Sequence, residues 1–426
     1  MHIGINCLGL NPKIGGLRQY VQRLIQELLE SDLENTYSIF HLSDNSSEIE
    51  LIDAHRLQKS RVQVSGYGDL FSKLGQLDVY FCPFGVLWPR PVPVATIVNL
   101  SDIQEEFYPQ YFTQRALDGR RRHYGPSTRA ADCVLTVSEF SKRTIVEKHG
   151  ISPEKIFVAY HSVDSNMRDP VSTETLARLD LPDRYIFYPA NHWHHKNHDG
   201  LLRALCYLRT EKKTIIPCIL TGHSQDNGYS VKQKIEEYRL SDQVKLLGYV
   251  TDEDIRALYH RSAMLCFPSL FEGFGMPLVD AMAVGCPIAC SYVASIPEVT
   301  GDAAIFFDPE DEKQIGEAIY RLWTDPNLCN NLVKSGKERV KLFTSAKMAD
   351  VHLAAFKTAH EKFDSESKEF FDHEVWGNLN KLSYMQYQIS ELSNKIEAIQ
   401  SSLSWRITAP LRKSLDLLRQ MAGRSK

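Results

Sequence analysis

The chain has little net charge: 49 Lys and Arg against 53 Asp and Glu leave −4. No basic surplus is there to draw in nucleic acid, so no nucleic-acid partner is expected. No apolar run is long enough to span a bilayer. The first residues, Met1-His2-Ile3-Gly4-Ile5-Asn6-Cys7, lack a cationic leader and are expected to be a strand rather than a signal peptide. No Cys-x-x-Cys pair occurs, and the nine cysteines are odd in number and scattered. That argues against a disulfide framework and for a reduced, cytoplasmic protein. What is present is ordinary globular composition, 43% hydrophobic and 24% charged, over 426 residues. Such a length is too great for one core, so two domains are expected.

Short apolar runs alternate with helical patterns in the first half, at 3–7, 37–42, 79–82, 94–98, 133–137 and 156–160. A second series lies at 185–190, 216–220, 244–247, 263–267 and 288–290. Alternation of this kind predicts parallel α/β domains of Rossmann type. The expected organisation is a first domain at 1–165, a linker at 166–184 holding Pro170 and Pro182, and a second domain at 185–360. A ligand is expected in the cleft between them, at the carboxyl ends of the strands.

The most informative stretch is Ser269-Leu270-Phe271-Glu272-Gly273-Phe274-Gly275-Met276-Pro277-Leu278-Val279-Asp280. It reads as a strand end, a glycine-rich turn and a helix start. Backbone N–H groups in such a turn converge, and the helix dipole favours an anion there. Glu272 in the turn and Asp280 in the helix flank that position. Two carboxylates around a phosphate-friendly turn suit a ligand with phosphates and hydroxyls, such as a nucleotide sugar.

The segment resembles the acidic signature, Glu-x7-Glu, of family 4 retaining glycosyltransferases. The resemblance covers about residues 1 to 345. It implies a GT-B fold: two Rossmann-like domains facing across a cleft. It gives Glu272 a contact with the transferred sugar and Asp280, in place of the usual Glu, the ribose diol. Phe274, Gly275 and Met276 would line the donor site with them. The loop after the first strand, Gly15-Gly16, would line the cleft on the opposite wall. Lys196 matches the lysine that grips the donor diphosphate, while Asn191 stands where an arginine is common. A neighbouring histidine of Asn191-His192-Trp193-His194-His195-Lys196-Asn197-His198 is expected to supply part of that missing charge. The same histidines also tempt a metal reading. They are adjacent on the chain and lack a neighbouring acid or cysteine, so no metal is expected. No cofactor is expected beyond the nucleotide diphosphate sugar itself.

Gly222 ends another strand at the same cleft edge, and residues 246–250 lie where the family brackets the base. Ser101-Asp102 stands where the family has His-Asp. Asp102 is read either as an acceptor-hydroxyl ligand or as a cap on the following turn. Arg115, Arg120, Arg121, Arg122 and His123 are read as a solvated helix face, with a patch for an anionic acceptor as the alternative. Ser138 is expected to cap a helix. Glu298 is read as part of a structural turn rather than a ligand contact.

Farther on, Leu382, Met385, Ile389, Leu392, Ile396, Ile399 and Leu403 repeat at 3-4 spacing. That is a heptad seam about 33 Å long, and it predicts a coiled coil at 375–403 and self-association. The segment 404–426 carries Trp405, a leucine stripe and Arg406, Arg412, Lys413, Arg419, Arg424 and Lys426 against one acid, Asp416. It suits either a membrane surface or a partner protein. The location expected is cytoplasmic, peripheral on the inner face of the plasma membrane. Two functions fit. One is a hexosyltransferase, mannose being the expected sugar, acting from a GDP- or UDP-linked donor onto a glycan or lipid-linked glycan. The other is a degenerate GT-B scaffold recruiting partner enzymes through its tail.

Overall fold

The computed structural model describes residues 1–90, 92–223 and 229–363, and scattered residues between 385 and 400. The first sheet contains β1 (His2–Asn6), β2 (Thr36–His41), β3 (Arg61–Gln63), β4 (Val79–Cys82), β5 (Ala95–Asn99), β6 (Cys133–Thr136) and β7 (Ile156–Val158). Its order is β3-β2-β1-β4-β5-β6-β7. The second contains β8 (Ile186–Pro189), β9 (Cys218–Thr221), β10 (Val244–Leu246), β11 (Met264–Phe267), β12 (Ile288–Ser291) and β13 (Ala304–Phe307). Its order is β10-β9-β8-β11-β12-β13. Every described pair is parallel, for example Ile5 beside Ile39 and Phe267 beside Cys290. Central strands such as β5 and β11 are buried throughout, because helices cover both faces of the sheets.

Both sheets follow the doubly wound order, so each reverses direction once: between β1 and β4 in the first and between β8 and β11 in the second. Such a reversal splays the loops at the strand ends and opens a crevice there. Gly15-Gly16 follows β1, Asn191 to Lys196 follows β8, and Glu272 follows β11.

Two expected boundaries need correction. The helix Ser345–Lys362, assigned by position to the second domain, buries Met348, Ala349, Ala355, Phe356 and Ala359 in the core of the first. Burial of Met348 and Phe356 is worth about 1.5–3 kcal/mol each, which fixes the helix on that domain. The expected linker also holds structure. The helix Thr173–Leu179 lies in it, and Met167 and Leu179 join the second core. Edge strands β3 and β13 were not among the expected runs.

Among the described residues, no helix is long and apolar enough to cross a membrane. The described residues between 385 and 400 are helical. Met385, Ile389, Leu392, Ile396 and Ile399 are each more than half exposed. Leu382, Leu403 and the whole of 404–426 lie outside the described residues.

Candidate active site

The turn after β11 is held from several sides. Ser295 Oγ donates to the carbonyls of Glu272, at 2.8 Å, and Phe274, at 3.2 Å. Ser141, from the first domain, donates to the carbonyl of Gly273 at 3.4 Å. Leu270 N–H donates to the carbonyl of His195 at 2.7 Å, which ties this turn to the loop after β8. Gly275 has φ +99°, a left-handed value that suits glycine, and a side chain there would meet Leu278 Cδ1 at 2.8 Å. The helix Met276–Val284 starts directly after it, with Pro277 in its first turn and no side chain capping its N–H groups. These N–H groups and the helix dipole form a place for an anion.

Lys196 Nζ donates to Glu272 Oε1 at 2.6 Å. Their side chains are only 19% and 12% exposed, so the pair is drawn together in a poorly solvated spot. The Tyr188 hydroxyl, wholly buried beneath, donates to the Lys196 carbonyl at 2.7 Å and fixes the loop. The first domain closes on this pair. A Cβ at Gly273 would lie 2.6 Å from Asp102 Oδ2, and one at Gly16 would lie 3.1 Å from Met276 Sδ. Asp102 and the Gly15-Gly16 loop therefore face the same turn. Asp102 also accepts from Gln104 N–H at 3.1 Å, so both of its expected roles are geometrically open. Burial pushes its carboxyl above the usual range, with Arg120 and Lys196 opposing and Glu272 adding to the rise.

Asp280 lies in the helix that follows the turn. Its Oδ1 is buried without a hydrogen-bond partner. Burial raises its carboxyl to about 6, an effect that Arg23 of the first domain opposes and Asp164 reinforces. An acceptor oxygen left unpaired is suited to the hydroxyl donors of a ribose diol. Asn191 and Gly222 meet at the neighbouring strand ends. Asn191 Oδ1 accepts from His223 N–H at 2.9 Å. A Cβ at Gly222 would fall 2.3 Å from the Ala190 carbonyl oxygen, so close backbone approach requires glycine there. Tyr249, 71% exposed, stacks on His223 with centroids 4.9 Å apart. Phe274 directs its ring inward, against Tyr160, His161 and Phe343, and packs the domain interface.

Burial works against the expected histidine charge at three of the four rings. Burial pushes His195 down to about 2 and His198 down to about 3, and Lys196 adds to both shifts. His192 is lowered too. Burial thus favours the neutral form of these three rings, which makes each a poor substitute for the missing arginine. Arg120 is a further cation whose field reaches this spot, acting on both His195 and Asp102. Arg115, Arg121 and Arg122 are exposed as expected, but Arg120 turns inward and pairs with Glu105 at 2.8 Å. Among the described residues, no three His, Cys, Asp or Glu side chains converge as a metal set.

Ser138 caps the helix Glu139–His149, its Oγ accepting from Ser141 N–H at 3.0 Å. Glu298 does more than shape a turn. Its carboxylate crosses to the first domain and accepts from Glu139 N–H at 2.7 Å, Phe140 N–H at 2.9 Å and the Tyr160 hydroxyl at 3.0 Å. It satisfies open N–H groups at the start of that helix and sits at the positive end of its dipole. Sequence reasoning missed this interdomain role and the inward turn of Arg120.

Comparison with known proteins completes the assignment. Residues 177–339 match the family described as glycosyl transferases group 1. The chain carries a glycosyltransferase domain within a GT-B fold. It is 25% identical over 368 residues to the O-antigen chain mannosyltransferase B of Escherichia coli, covering 80% of this chain and 96% of that protein. It is 29% identical to the O-antigen chain mannosyltransferase RfbU of Salmonella typhimurium, over 52% of this chain and 59% of that one. The fold matches that of Anabaena Alr3699/HepE in complex with UDP-glucose, with a TM-score of 0.64 and 16% identity, across 83% of this chain and 99% of that one.

Proposed function

We propose that this glycosyltransferase moves a hexose, mannose, from a GDP- or UDP-linked donor to a growing cell-surface glycan or lipid-linked glycan, with retention. The observation that carries the reading is the Lys196–Glu272 pair beside the uncapped helix Met276–Val284, at the switch point of the second sheet. The mannosyl transfer named for two relatives supports the choice of sugar. On donor binding, Lys196 leaves Glu272 for the diphosphate, and Glu272 turns to the hydroxyls of the sugar. As the bond between the anomeric carbon and the phosphate oxygen breaks, negative charge grows on the leaving diphosphate. Lys196 and the helix N–H groups are already aimed there, and they stabilise that charge more than the ground state. The acceptor hydroxyl attacks the same face, and its proton passes to a phosphate oxygen. Asp280 holds the ribose, and Asn191, Gly222 and the backbone around Gly275 shape the donor floor.

Donor turnover is the test. Purified protein should hydrolyse or transfer from GDP-mannose or a UDP-hexose. If no nucleotide sugar binds or turns over, the scaffold reading takes its place.

The same proposal places the protein on the cytoplasmic side of the membrane, self-associating through the heptad seam. The exposure of Met385, Ile389, Leu392, Ile396 and Ile399 supports that use, because such a stripe is costly to leave in water. Truncation after residue 375 should convert the protein to a monomer in sedimentation. An unchanged mass would reject the seam as the contact. The segment 404–426 supplies the membrane or partner contact.

A further inference from the structure

A cavity opens beside the two loops that carry Lys196 and Glu272, with His194, Asn197 and Leu270 of those loops in its wall. Its volume is about 460 Å³, within the range of sites that hold small ligands. Both domains line it. Tyr111 comes from the first, and His194, Arg203, Tyr229, Lys234 and Glu310 from the second.

Three rings in its wall continue one another. Tyr111 stacks on His194 at 5.4 Å and 11°, and His194 meets Tyr229 at 4.6 Å. Tyr108 extends the series behind Tyr111 at 5.4 Å and 2°. Tyr108 also donates to the Leu270 carbonyl, two residues before Glu272, at 3.2 Å. The aromatic series is therefore tied to the catalytic turn.

The polar groups are pre-set. Asp199 accepts from Arg203 Nη1 at 2.8 Å and from the Tyr238 hydroxyl at 3.0 Å. Arg203 Nε is buried with no hydrogen-bond partner. Charges of both signs line the wall, Asp199 and Glu310 against Arg203 and Lys234. An anion would meet the two carboxylates, and a cation the two bases. A neutral polyol can donate to the first and accept from the second, Lys234 also holding Glu237 at 2.8 Å, while its C–H groups pack against the edges of the stacked rings.

The geometry points to this cavity as a carbohydrate subsite, holding a neutral oligosaccharide stretch of the acceptor glycan while its end reaches the donor. This deepens the reading above and rests on it for the nature of the glycan. The subsite binds sugar without donor, so it is tested apart from that reading. Mannotetraose, maltotetraose and chitotetraose are titrated into the full chain, followed by saturation-transfer NMR and calorimetry. At least one should bind, and Tyr111→Ala should weaken it at least ten-fold, while Tyr111→Phe, which keeps the ring, should retain it. In transfer assays, Tyr111→Ala should raise KM for a tetrasaccharide acceptor at least five-fold more than for a monosaccharide acceptor. Absence of binding by all three probes, or equal binding by wild type and Tyr111→Ala, overturns the subsite. Donor turnover by the wild-type chain, measured separately, shows whether the parent reading has failed instead.

Discussion

Glu272 and Glu298 leave the same sheet, from the loops that follow β11 and β12, and end in opposite kinds of partnership. Glu272 is paired with one side-chain cation, Lys196, at 2.6 Å. Glu298 is fixed by two backbone N–H groups and one phenol of the other domain. A side-chain ion pair can open when a competing anion arrives, since the lysine only exchanges one oxygen partner for another. A carboxylate on a helix N-terminus has no such exchange, because the N–H groups would be left unsatisfied. The first arrangement suits chemistry that changes charge at each turnover. The second suits a joint that holds two domains in register. Burial and then the charge of Glu298 keep the Tyr160 phenol above its ordinary value, so it stays a hydrogen-bond donor.

The sharpest way to break this contrast is at Lys196. Lys196→Ala should lower donor turnover by about 10²–10³-fold, the usual effect of removing one group aimed at developing negative charge. Turnover within a few-fold of wild type, measured by release of nucleoside diphosphate, would remove Lys196 from the chemistry. Next comes the joint. Glu298→Ala should destabilise the closed arrangement by about 1–3 kcal/mol through loss of charge-assisted hydrogen bonds. Small-angle scattering should show a larger radius of gyration, with turnover falling and affinity for nucleoside diphosphate nearly unchanged. An unaltered radius would mean that apolar packing of Phe274, and of Phe271 against Phe107 and Phe140, holds the domains without Glu298.

The smallest effect concerns Asp280. Its carboxyl is raised to about 6 in the folded protein, mainly by burial. A raised acid favours the fold while protonated, and that advantage is lost as pH climbs from the ordinary carboxylate value through about 6. Asp280→Asn should therefore melt a few °C above wild type at pH 7.5, with the difference vanishing near pH 4. A melting difference that is flat across this range would contradict the burial of an ionised Asp280. The same variant should bind nucleotide sugar less tightly above pH 6, where wild type presents a charged acceptor to the ribose.

The glycine turn, the two strand series and the capping serine were legible because each depends on neighbours along the chain. Buried parallel strands read as apolar runs, and Ser138 caps a helix a few residues away. β3 escaped because Arg61-Val62-Gln63 is a polar edge with one partner strand. β13 escaped because Ala304-Ile305-Phe306-Phe307 is a four-residue edge strand, half of it only partly buried, beside β12. The return of the helix Ser345–Lys362 to the first core is set by the path of the chain between domains, which periodicity does not encode. Arg120 looked like its exposed neighbours because only the packing of Glu105 and Asp102 beside it distinguishes them. His192, His195 and His198 are hard to read for a related reason: their charge depends on burial, and adjacent residues in the sequence do not reveal it.

The central claim is that Lys196 exchanges Glu272 for the β-phosphate of the donor. Calorimetry of the preferred nucleoside diphosphate and its monophosphate, on wild type and Lys196→Ala, tests it most directly. The account predicts at least ten-fold weaker diphosphate binding in the variant and little change for the monophosphate. Equal loss for both ligands, or no loss for either, would contradict it.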